Sequence, residues 1–307
     1  MRLGAPGIVA GVVVDTAFFT GNFPPRAALD GAAIEGHPSV AELETADWRP
    51  LLPLSDLAGD TANAFAVDSD QRVTHVRLSI HPDGGVARLR VHGTAVPDPR
   101  VIDAGPVDLA ALENGARVTG VSDEFYGRPA QLNAPGPARS MGEGWETRRR
   151  RDQGHDWVEV ALACEGVGTL AELDTAYFLG NAPATASLTG WGPDGEVALL
   201  PRTRLQPDTR HRFVLPSAPG VSRVRLDVFP DGGMARLRLW GRPTPAGRGA
   251  LGRRWFDALP DVQALEVLGS IGVPPSEAGR LVGARPITGA VPEAVARLLD
   301  GPATYGA

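Results

Sequence analysis

The chain has 307 residues, which is enough for two domains with separate cores and a further C-terminal segment. Its formal net charge of −6 argues against a general nucleic-acid-binding protein, and we expect no nucleic-acid partner. All 30 basic Lys or Arg side chains are Arg, which excludes a Schiff-base lysine, a lysine nucleophile and the lysine of a phosphate-binding loop.

The first predicted element lies near the N-terminus, where Arg2 precedes the apolar run "GIVAGVVV" at 7–14. Runs of this kind also occur in export signals. The chain repeats the segment 159 positions later, however, and that copy carries Glu165 and Glu172. We therefore predict a strand of a β-sandwich rather than a signal peptide. No run approaches the ~18 apolar residues of a membrane span, so we expect no membrane partner.

Three motifs occur twice in the chain. "DTAFFTGN" at 15–22 returns as "DTAYFLGN" at 174–181, "LLP" at 51–53 returns at 199–201, and "PDGGVARLR" at 82–90 returns as "PDGGMARLR" at 230–238. The period is about 150 residues, the size of one domain, so we predict two homologous domains in tandem. Between the first and second motifs the first copy has 11 more residues, and we predict a surface loop there.

The polar residues of the first motif have two interpretations, and both stay open. An Asp that directly follows an apolar strand often caps a turn by accepting a hydrogen bond from a neighbouring amide. The other interpretation places Asp15, Asn22, Asp174 and Asn181 in a groove, where they accept N–H groups of a urea-like ligand.

Residues 73–80 and 86–92 alternate between apolar and polar side chains, as do their counterparts in the second copy. The string "PDGG" between them is typical of a tight turn. We therefore predict antiparallel hairpins with one buried face, within β-sandwiches of the jelly-roll type.

The densest polar stretch is "MGEGWETRRRRDQGHDW" at 141–157, which follows "SDEFYGRP" at 122–129. Four consecutive Arg residues are commonly a solvated strand or loop, but a guanidinium also binds a carboxylate through two parallel hydrogen bonds. Glu146 is a candidate acid or base. His155, next to Asp156, is either a tuned imidazole or a structural hydrogen-bonding pair.

The sequence predicts no defined metal site and no cofactor, and a divalent metal stays an open alternative that the ligand spacing does not support. Its six His residues are scattered without the spacing of a metal motif, and the single Cys164 permits neither an internal disulfide nor a cysteine-only metal site. One cysteine fits a reducing compartment, and we expect a cytoplasmic protein.

After about residue 246 the pattern changes to three short predicted helices, at 259–269, 275–283 and 291–301. We expect this tail to pack on the second sandwich.

Several long strings closely resemble the allantoicase family and cover about residues 2–241. They are "DTAFFTGNFPPR", "HPDGGVARLRVHG", "DLAALENGARVTGVSDEFYGRP", "MGEGWETRRRRDQGHDWVEV", "LLPRTRLQPDTRHRF" and "FPDGGMARLRLWG". The resemblance implies an all-β fold of two tandem jelly-roll, galactose-binding-like sandwiches. It also implies hydrolysis of allantoate to (S)-ureidoglycolate and urea in purine breakdown. We expect a first repeat at 1–110, a second at 111–245 and a helical extension at 246–307.

The resemblance also suggests roles for individual residues. Arg148 or Arg149 would hold the substrate carboxylate, and Glu146 or His155 would protonate the leaving urea. The predicted catalytic residues are Glu146, His155 and Asp174, and the predicted substrate-binding residues are Arg148, Arg149, Asn181, Asp123, Glu124, Asp15 and Asn22.

The first repeat departs from the family pattern. In the second copy, residues 122–173 precede "DTAYF", whereas only 14 residues precede "DTAFF". Either the sequence starts too late or the first repeat lacks its opening strands, and we favour a clipped N-terminus. A sandwich without those strands would expose an unpaired edge and an apolar face. Two alternatives to an active enzyme remain at this point, a non-catalytic β-sandwich that binds a ligand such as carbohydrate, and a degenerate paralogue with a scaffold role. We expect the protein to be a homo-oligomer with allantoate as its small-molecule partner.

Overall fold

The structure is a computed structural model that describes residues 1–302 as two compact units. Unit 1 comprises residues 1–97 and 254–289, and unit 2 comprises residues 98–253 and 290–302. Both units are built mainly of antiparallel strands, so the predicted all-β fold with two β-sandwiches and a short helical tail is confirmed.

Unit 1 is organised around one long strand, β1. Its N-terminal half pairs with β5, and its C-terminal half pairs with β4 and β6. Beyond β5 the sheet continues through β2 to β3. The strands are β1 (Arg2–Asp15), β2 (Arg26–Ala32), β3 (Arg49–Asp56), β4 (Ala62–Ala66), β5 (Arg72–His81) and β6 (Arg88–Ala95). The predicted insertion lies between β2 and β3 and contains the short helix α1 (Val40–Glu44), which begins at a capping box formed by Ser39 and Glu42.

Unit 2 repeats this plan with additional elements. Its long strand, β10, pairs with β8 and β14 in its N-terminal half and with β13 and β16 in its C-terminal half. The elements that precede β10 are α2 (Pro99–Ile102), β7 (Val107–Asp108), β8 (Arg117–Val121) and β9 (Trp145–Glu146), with 3-10 turns at Leu112–Asn114, Pro129–Gln131 and Met141–Glu143. The remaining strands are β10 (Asp156–Asp174), β11 (Thr185–Gly192), β12 (Gly195–Arg204), β13 (Arg210–Val214), β14 (Val221–Phe229), β15 (Gly233–Met234) and β16 (Arg236–Pro243).

The predicted hairpins across "PDGG" are wrong. β5 and β6 do not pair with each other; they pair with different halves of β1, and β14 and β16 do the same with β10. The register of the long strand shifts between Val9 and Gly11 in one unit and between Gly168 and Leu170 in the other. Such a bulge bends a strand, and the two neighbours pair mainly with successive stretches of the long strand. The turn string therefore connects two strands that do not pair with each other.

The apolar face predicted from the alternation forms the core of unit 2, whereas several inward positions of 73–80 and 86–92 in unit 1 are only partly buried. Val224, Leu226 and Val228 of β14 are fully buried in unit 2, and Val12, Leu29 and Val76 are buried in unit 1. Each set of inward side chains therefore closes the core of its own sandwich.

Up to residue 302 the C-terminal segment contains four helices, one more than predicted: α3 (Pro245–Ala258), α4 (Asp261–Ser270), α5 (Pro275–Gly283) and α6 (Glu293–Asp300). Residues 254–289 group with unit 1, where Gln263 Nε2 donates to the Ala33 carbonyl at 2.8 Å. The expectation that the whole tail packs on the second sandwich is therefore wrong for these residues. Residues 303–307 lie outside the described part of the chain.

Candidate active site

Glu146 and Asn181 come together in unit 2. β9, which carries Glu146, pairs with β15 so that Glu146 lies opposite Gly233. Glu146 Oε1 accepts a 2.6 Å hydrogen bond from Nδ2 of Asn181, the last residue of the repeated motif. The backbone carbonyl of Glu146 accepts from the amides of Tyr126 and Gly127 at 3.2 Å, which holds the strand in place.

The arginine run binds carboxylates of the protein itself. Arg148 donates its backbone N–H (2.9 Å) and its Nε (3.2 Å) to Asp123, and its guanidinium lies over the Phe125 ring. Glu124 and Arg149 are exposed to solvent. Asp123 and Arg148 thus form a local pair next to the Glu146 strand, and their role toward a substrate stays a prediction.

His155 lies in a different group of contacts. Its Nε2 is 2.9 Å from Asp227 Oδ1, and its ring stacks on Phe229. The adjacent Asp156 instead accepts from Arg150 Nη1 at 2.6 Å. Consecutive residues of an extended segment point to opposite sides, so the carboxylate that contacts the imidazole is Asp227 and not the sequence neighbour.

Asp174 ends β10 and lines a cavity of about 360 Å³, which we call the Asp174 pocket. Its Oδ1 accepts from the Ala176 amide at 2.8 Å, so the turn-capping interpretation holds for one oxygen. The carboxylate is 1% exposed, and among residues 1–302 its Oδ2 has no hydrogen-bond donor. Arg210 Nε lies 3.5 Å from this oxygen. The other charged residues that line the pocket are Asp108, Glu113, Glu172, Arg236 and Arg238.

The arginines of the pocket differ in how firmly they are held. Arg236 donates to the carbonyls of Gly136 and Glu143, at 2.9 and 2.7 Å, and Arg238 donates to the carbonyls of Ala134 and Gly136. Arg210 is nearly half exposed and lies 3.5 Å from both Glu172 and Asp174, beyond a strong hydrogen bond. Arg210 is therefore the guanidinium that can turn toward a ligand.

The pocket also shifts the ionisation of two groups. Burial raises the pKa of Asp108, although its Oδ1 accepts from the amides of Leu239 and Ala110 and Arg238 lies near. Burial, and then the charge of Arg238, lowers the pKa of Arg236. A carboxyl group with a raised pKa retains its proton to higher pH and is suited to act as an acid.

Asp15 and Asn22, the counterparts in unit 1, have other surroundings. Asp15 Oδ1 caps the Ala17 amide at 3.0 Å, and its Oδ2 pairs with Arg90 (3.1 Å) and Arg88 (3.5 Å). These hydrogen bonds, first that of the Ala17 amide and then that of Arg90, lower the pKa of Asp15. Asn22 lines a separate cavity of about 440 Å³. The structure thus places the predicted site residues in several local groups.

Two further observations bear on chemistry. Burial raises the pKa of Cys164 to about 12, which leaves almost no thiolate at neutral pH and argues against a cysteine nucleophile. Within residues 1–302, no group of three His, Cys, Asp or Glu side chains is arranged to hold a metal ion. In that same part of the chain, no helix is long and apolar enough to cross a membrane.

Comparison with known proteins decides the family. The allantoicase repeat model matches residues 1–96 and again residues 107–244. The chain belongs to the allantoicase family. It is 60% identical over 244 residues to a probable allantoicase of Nocardia farcinica, covering 78% of this chain and 74% of that protein. It is 40% identical over 255 residues to the allantoicase of Dictyostelium discoideum, covering 78% and 69%. A solved allantoicase structure from Saccharomyces cerevisiae superposes with a TM-score of 0.69 at 31% identity, covering 77% and 74%.

Family membership confirms the predicted function class: the chain is a hydrolase of C–N bonds in linear amidines, of the allantoicase type. The sequence interpretation did not select Asp108, Arg210, Arg236 or Arg238 as site residues. Arg236 and Arg238 belong to the repeated "ARLR" string, where the alternation of apolar and polar side chains places arginines on the polar face of the strand. Both the "ARLR" string and the "DTA" string occur in each copy, and this joint repetition is the signal that could identify Arg236 and Arg238 as neighbours of Asp174.

Proposed function

We propose that allantoate is bound and hydrolysed in the Asp174 pocket of unit 2. The proposal rests chiefly on one observation, the buried Asp174 oxygen that has no hydrogen-bond donor among the described residues and lies in a cavity with three arginines. A buried acceptor without a donor is costly, and a ligand that carries N–H groups would relieve that cost.

The polar groups of the pocket match the parts of the substrate. Allantoate has one carbon that carries a carboxylate and two ureido groups. Arg210, the most exposed guanidinium of the pocket, would bind the carboxylate. Asp174 and Glu172 would accept hydrogen bonds from ureido N–H groups. The cavity of about 360 Å³ lies within the usual range for small-molecule sites.

Asp108 would supply the proton that the leaving group requires. Protonated Asp108 donates to the nitrogen of one ureido group as its bond to the central carbon breaks. The lone pair of the other ureido nitrogen forms a double bond to that carbon, and urea leaves. Water then attacks the carbon, its proton returns to the Asp108 carboxylate, and the products are ureidoglycolate and urea. The raised pKa of Asp108 supports this role.

Glu146 marks a second location for the same reaction, because it is the acid predicted from the sequence and it contacts Asn181. Its carboxylate and the guanidinium of Arg148 already have partners within the protein, which favours the Asp174 pocket. The side chains predicted to hold the carboxylate, Arg148 or Arg149, would then act outside the reaction centre.

The test is urea release from allantoate by the full chain and its variants. Asp174→Asn is expected to lower kcat/KM by about 10- to 100-fold, because charged hydrogen bonds contribute about 1.5–3 kcal/mol. Asp15→Asn is the matched control, since Asp15 makes the same turn cap and also pairs with arginine, but lies in unit 1. The control should change kcat/KM by less than about threefold.

Glu146→Gln distinguishes the two locations, because glutamine keeps an oxygen that can accept from Asn181. A folded Asp174→Asn variant with undiminished activity, together with an inactive Glu146→Gln variant, would move the reaction to Glu146. A wild-type chain that binds allantoate without releasing urea would instead support the non-catalytic alternative.

The location, the oligomeric state and the metal requirement of the protein stay predictions. We propose that the protein is a cytoplasmic homo-oligomer, and light scattering of the purified chain tests its oligomeric state. We propose that no metal is required, and dialysis against a chelator should then leave urea release unchanged.

A further inference from the structure

Most charged side chains of the Asp174 pocket come from three adjacent strands of unit 2, in the order β10, β16 and β7. Asp174 of β10 lies directly opposite Arg236 of β16, and Asp108 of β7 lies opposite Trp240, which is on the same face of β16 as Arg236. Neighbouring strands are about 4.8 Å apart, so β10 and β7 are separated by about 10 Å, with the arginines of β16 between them. The pocket therefore has two acidic sides.

Each acidic side contains one carboxylate oxygen that lacks a donor. On the β10 side, Glu172 Oε2 accepts from Arg212 Nε at 2.9 Å, whereas Asp174 Oδ2 has no hydrogen-bond donor within residues 1–302. On the β7 side, Asp108 is followed by Glu113, which lines the same cavity. Oε2 of Glu113 is also buried and has no hydrogen-bond donor in that part of the chain. Two separate acceptors of one cavity are thus left for a ligand.

A short 3-10 turn, Leu112–Asn114, fixes the backbone at Glu113. The amide of Leu112 donates to the carbonyl of Asn133 at 2.9 Å, and Nδ2 of Asn114 donates to the carbonyl of Asp108 at 2.8 Å. Burial raises the pKa of Asp108, and the negative charge of Glu113 adds to that rise, so the two carboxyl groups interact. The turn therefore holds Glu113 next to the acid of the β7 side.

The arginines of the pocket do not satisfy Glu113. Their contacts within the described chain go to other carboxylates and to backbone carbonyls, and the arginines concerned are Arg210, Arg236 and Arg238. A buried carboxylate oxygen without a donor destabilises the folded protein. A protein can retain such a group where a bound molecule supplies the missing donor.

We propose that Glu113 is a specificity-determining residue for the second ureido group of allantoate, so that the pocket selects a carboxylate whose carbon carries two ureido groups. This inference rests on the function proposed for the pocket and adds a substrate requirement to it. Asp174 and Glu172 accept from the retained ureido group on the β10 side. Glu113 accepts from the terminal NH2 of the leaving ureido group, while Asp108 protonates its inner nitrogen. A compound with one ureido group satisfies only one of the two sides.

The probes are allantoate, followed by urea release, and N-carbamoylglycine, a carboxylate with one ureido group, tested as a competitive inhibitor. Glu113→Ala should lower kcat/KM for allantoate by about tenfold or more, mainly through KM, because the lost hydrogen bond is already made in the bound substrate. The inhibition constant of N-carbamoylglycine should change by less than about twofold, since this compound can use the β10 side alone. Glu113→Gln keeps an acceptor oxygen and should recover part of the loss.

Two measurements separate this role from a structural one. The melting temperature of Glu113→Ala should be no lower than that of the wild type, because Oε2 of Glu113 accepts no hydrogen bond from residues 1–302. Glu159→Ala is the matched control, since Glu159 pairs with Arg223 at 3.0 Å and does not line the pocket. It should leave both constants unchanged. Equal losses for the two compounds in Glu113→Ala, or an unchanged kcat/KM for allantoate, would overturn the inference.

Asp174→Asn distinguishes a failure of this inference from a failure of the proposed function. It should weaken the binding of both compounds, because both use the β10 side. If it does so while Glu113→Ala changes neither, only the role of Glu113 is lost. If Asp174→Asn affects neither compound, the reaction does not take place in this pocket, and the inference falls together with the proposed function.

Discussion

The pairing of β9 with β15 buries Gly233 in unit 2, whereas the equivalent Gly85 of unit 1 lies beside an open cavity. We therefore predict a large difference in the loss of stability caused by an alanine at each position. A Cβ atom added at Gly233 would lie 1.9 Å from Cε1 and 2.0 Å from Cδ1 of Phe178. That ring is fully buried and packs with Ala138 and Ala235, so it has no space into which it can move. We expect Gly233→Ala to destabilise unit 2 by about 1–3 kcal/mol, the usual cost of overpacking.

Gly85→Ala is the control within the same chain. Its Cβ would lie 1.9 Å from Cε1 of Phe19, the same clash, and the φ of neither glycine is in the left-handed region. Phe19, however, lines the open cavity of about 440 Å³, so its ring can rotate away. We expect a cost below about 1 kcal/mol.

Hydrogen exchange followed by mass spectrometry measures the two units separately, which a single melting curve of a two-domain protein does not. Protection should fall in segments of unit 2, such as β10 and β15, in the Gly233→Ala variant. It should change little around residues 82–90 in the Gly85→Ala variant. Equal loss of protection in the two variants would show that Phe19 is as confined as Phe178 and would refute the reasoning.

Two further predictions concern stability. Burial, reinforced by the charge of Arg2 nearby, lowers the pKa of His75 in unit 1, so the folded state favours the neutral imidazole. The neutral His75 should stabilise the folded state fully above the pKa of the unfolded state, about 6.5, and this stabilisation should be lost as the pH falls through the lower pKa of the folded state. His75→Gln should therefore flatten the dependence of the melting temperature on pH between about 8 and 5. Arg248 is buried and contacts both Asp103 oxygens, at 2.7 and 2.9 Å. Arg248→Met should cost about 3 kcal/mol in chemical denaturation, the lower end of the range for breaking a buried ion pair, because Asp103 is partly exposed to solvent. Unchanged stability would contradict that account.

The internal repeat predicted most of the fold because it constrains many residues at once. A strand such as β14 must place Val224, Leu226 and Val228 on one face in order to be buried, and all three are buried. The same alternation does not say which strand is the neighbour. β5 and β6 appeared to form a hairpin because a turn string joins them, yet each pairs with β1. Which strand each one pairs with depends on where β1 bends. The local alternation of apolar and polar residues does not reveal that position.

The candidate site was harder to predict because its contacts are distant in sequence. The contact of Asn181 with Glu146 spans 35 positions, and that of His155 with Asp227 spans 72. Proximity in sequence instead suggested Asp156 as the partner of His155. Residue type and spacing select candidate polar segments, but pairing across strands decides which of their side chains meet.

The same motif has different surroundings in the two units. Asp15 with Arg88 and Arg90 has the same sequence context as Asp174 with Arg236 and Arg238. In the first group a buried Asp15 pairs with two largely exposed arginines, whereas the second group lines the Asp174 pocket. In unit 2, carbonyls of the 133–143 segment take up the donors of Arg236 and Arg238, which leaves Asp174 Oδ2 without a hydrogen-bond donor in the described chain. Asp108, at the end of β7, adds a further buried carboxyl group to the lining of this pocket. The repeated motif therefore provides the strand and its charges, and the segments that cover it determine whether those charges are available to a substrate.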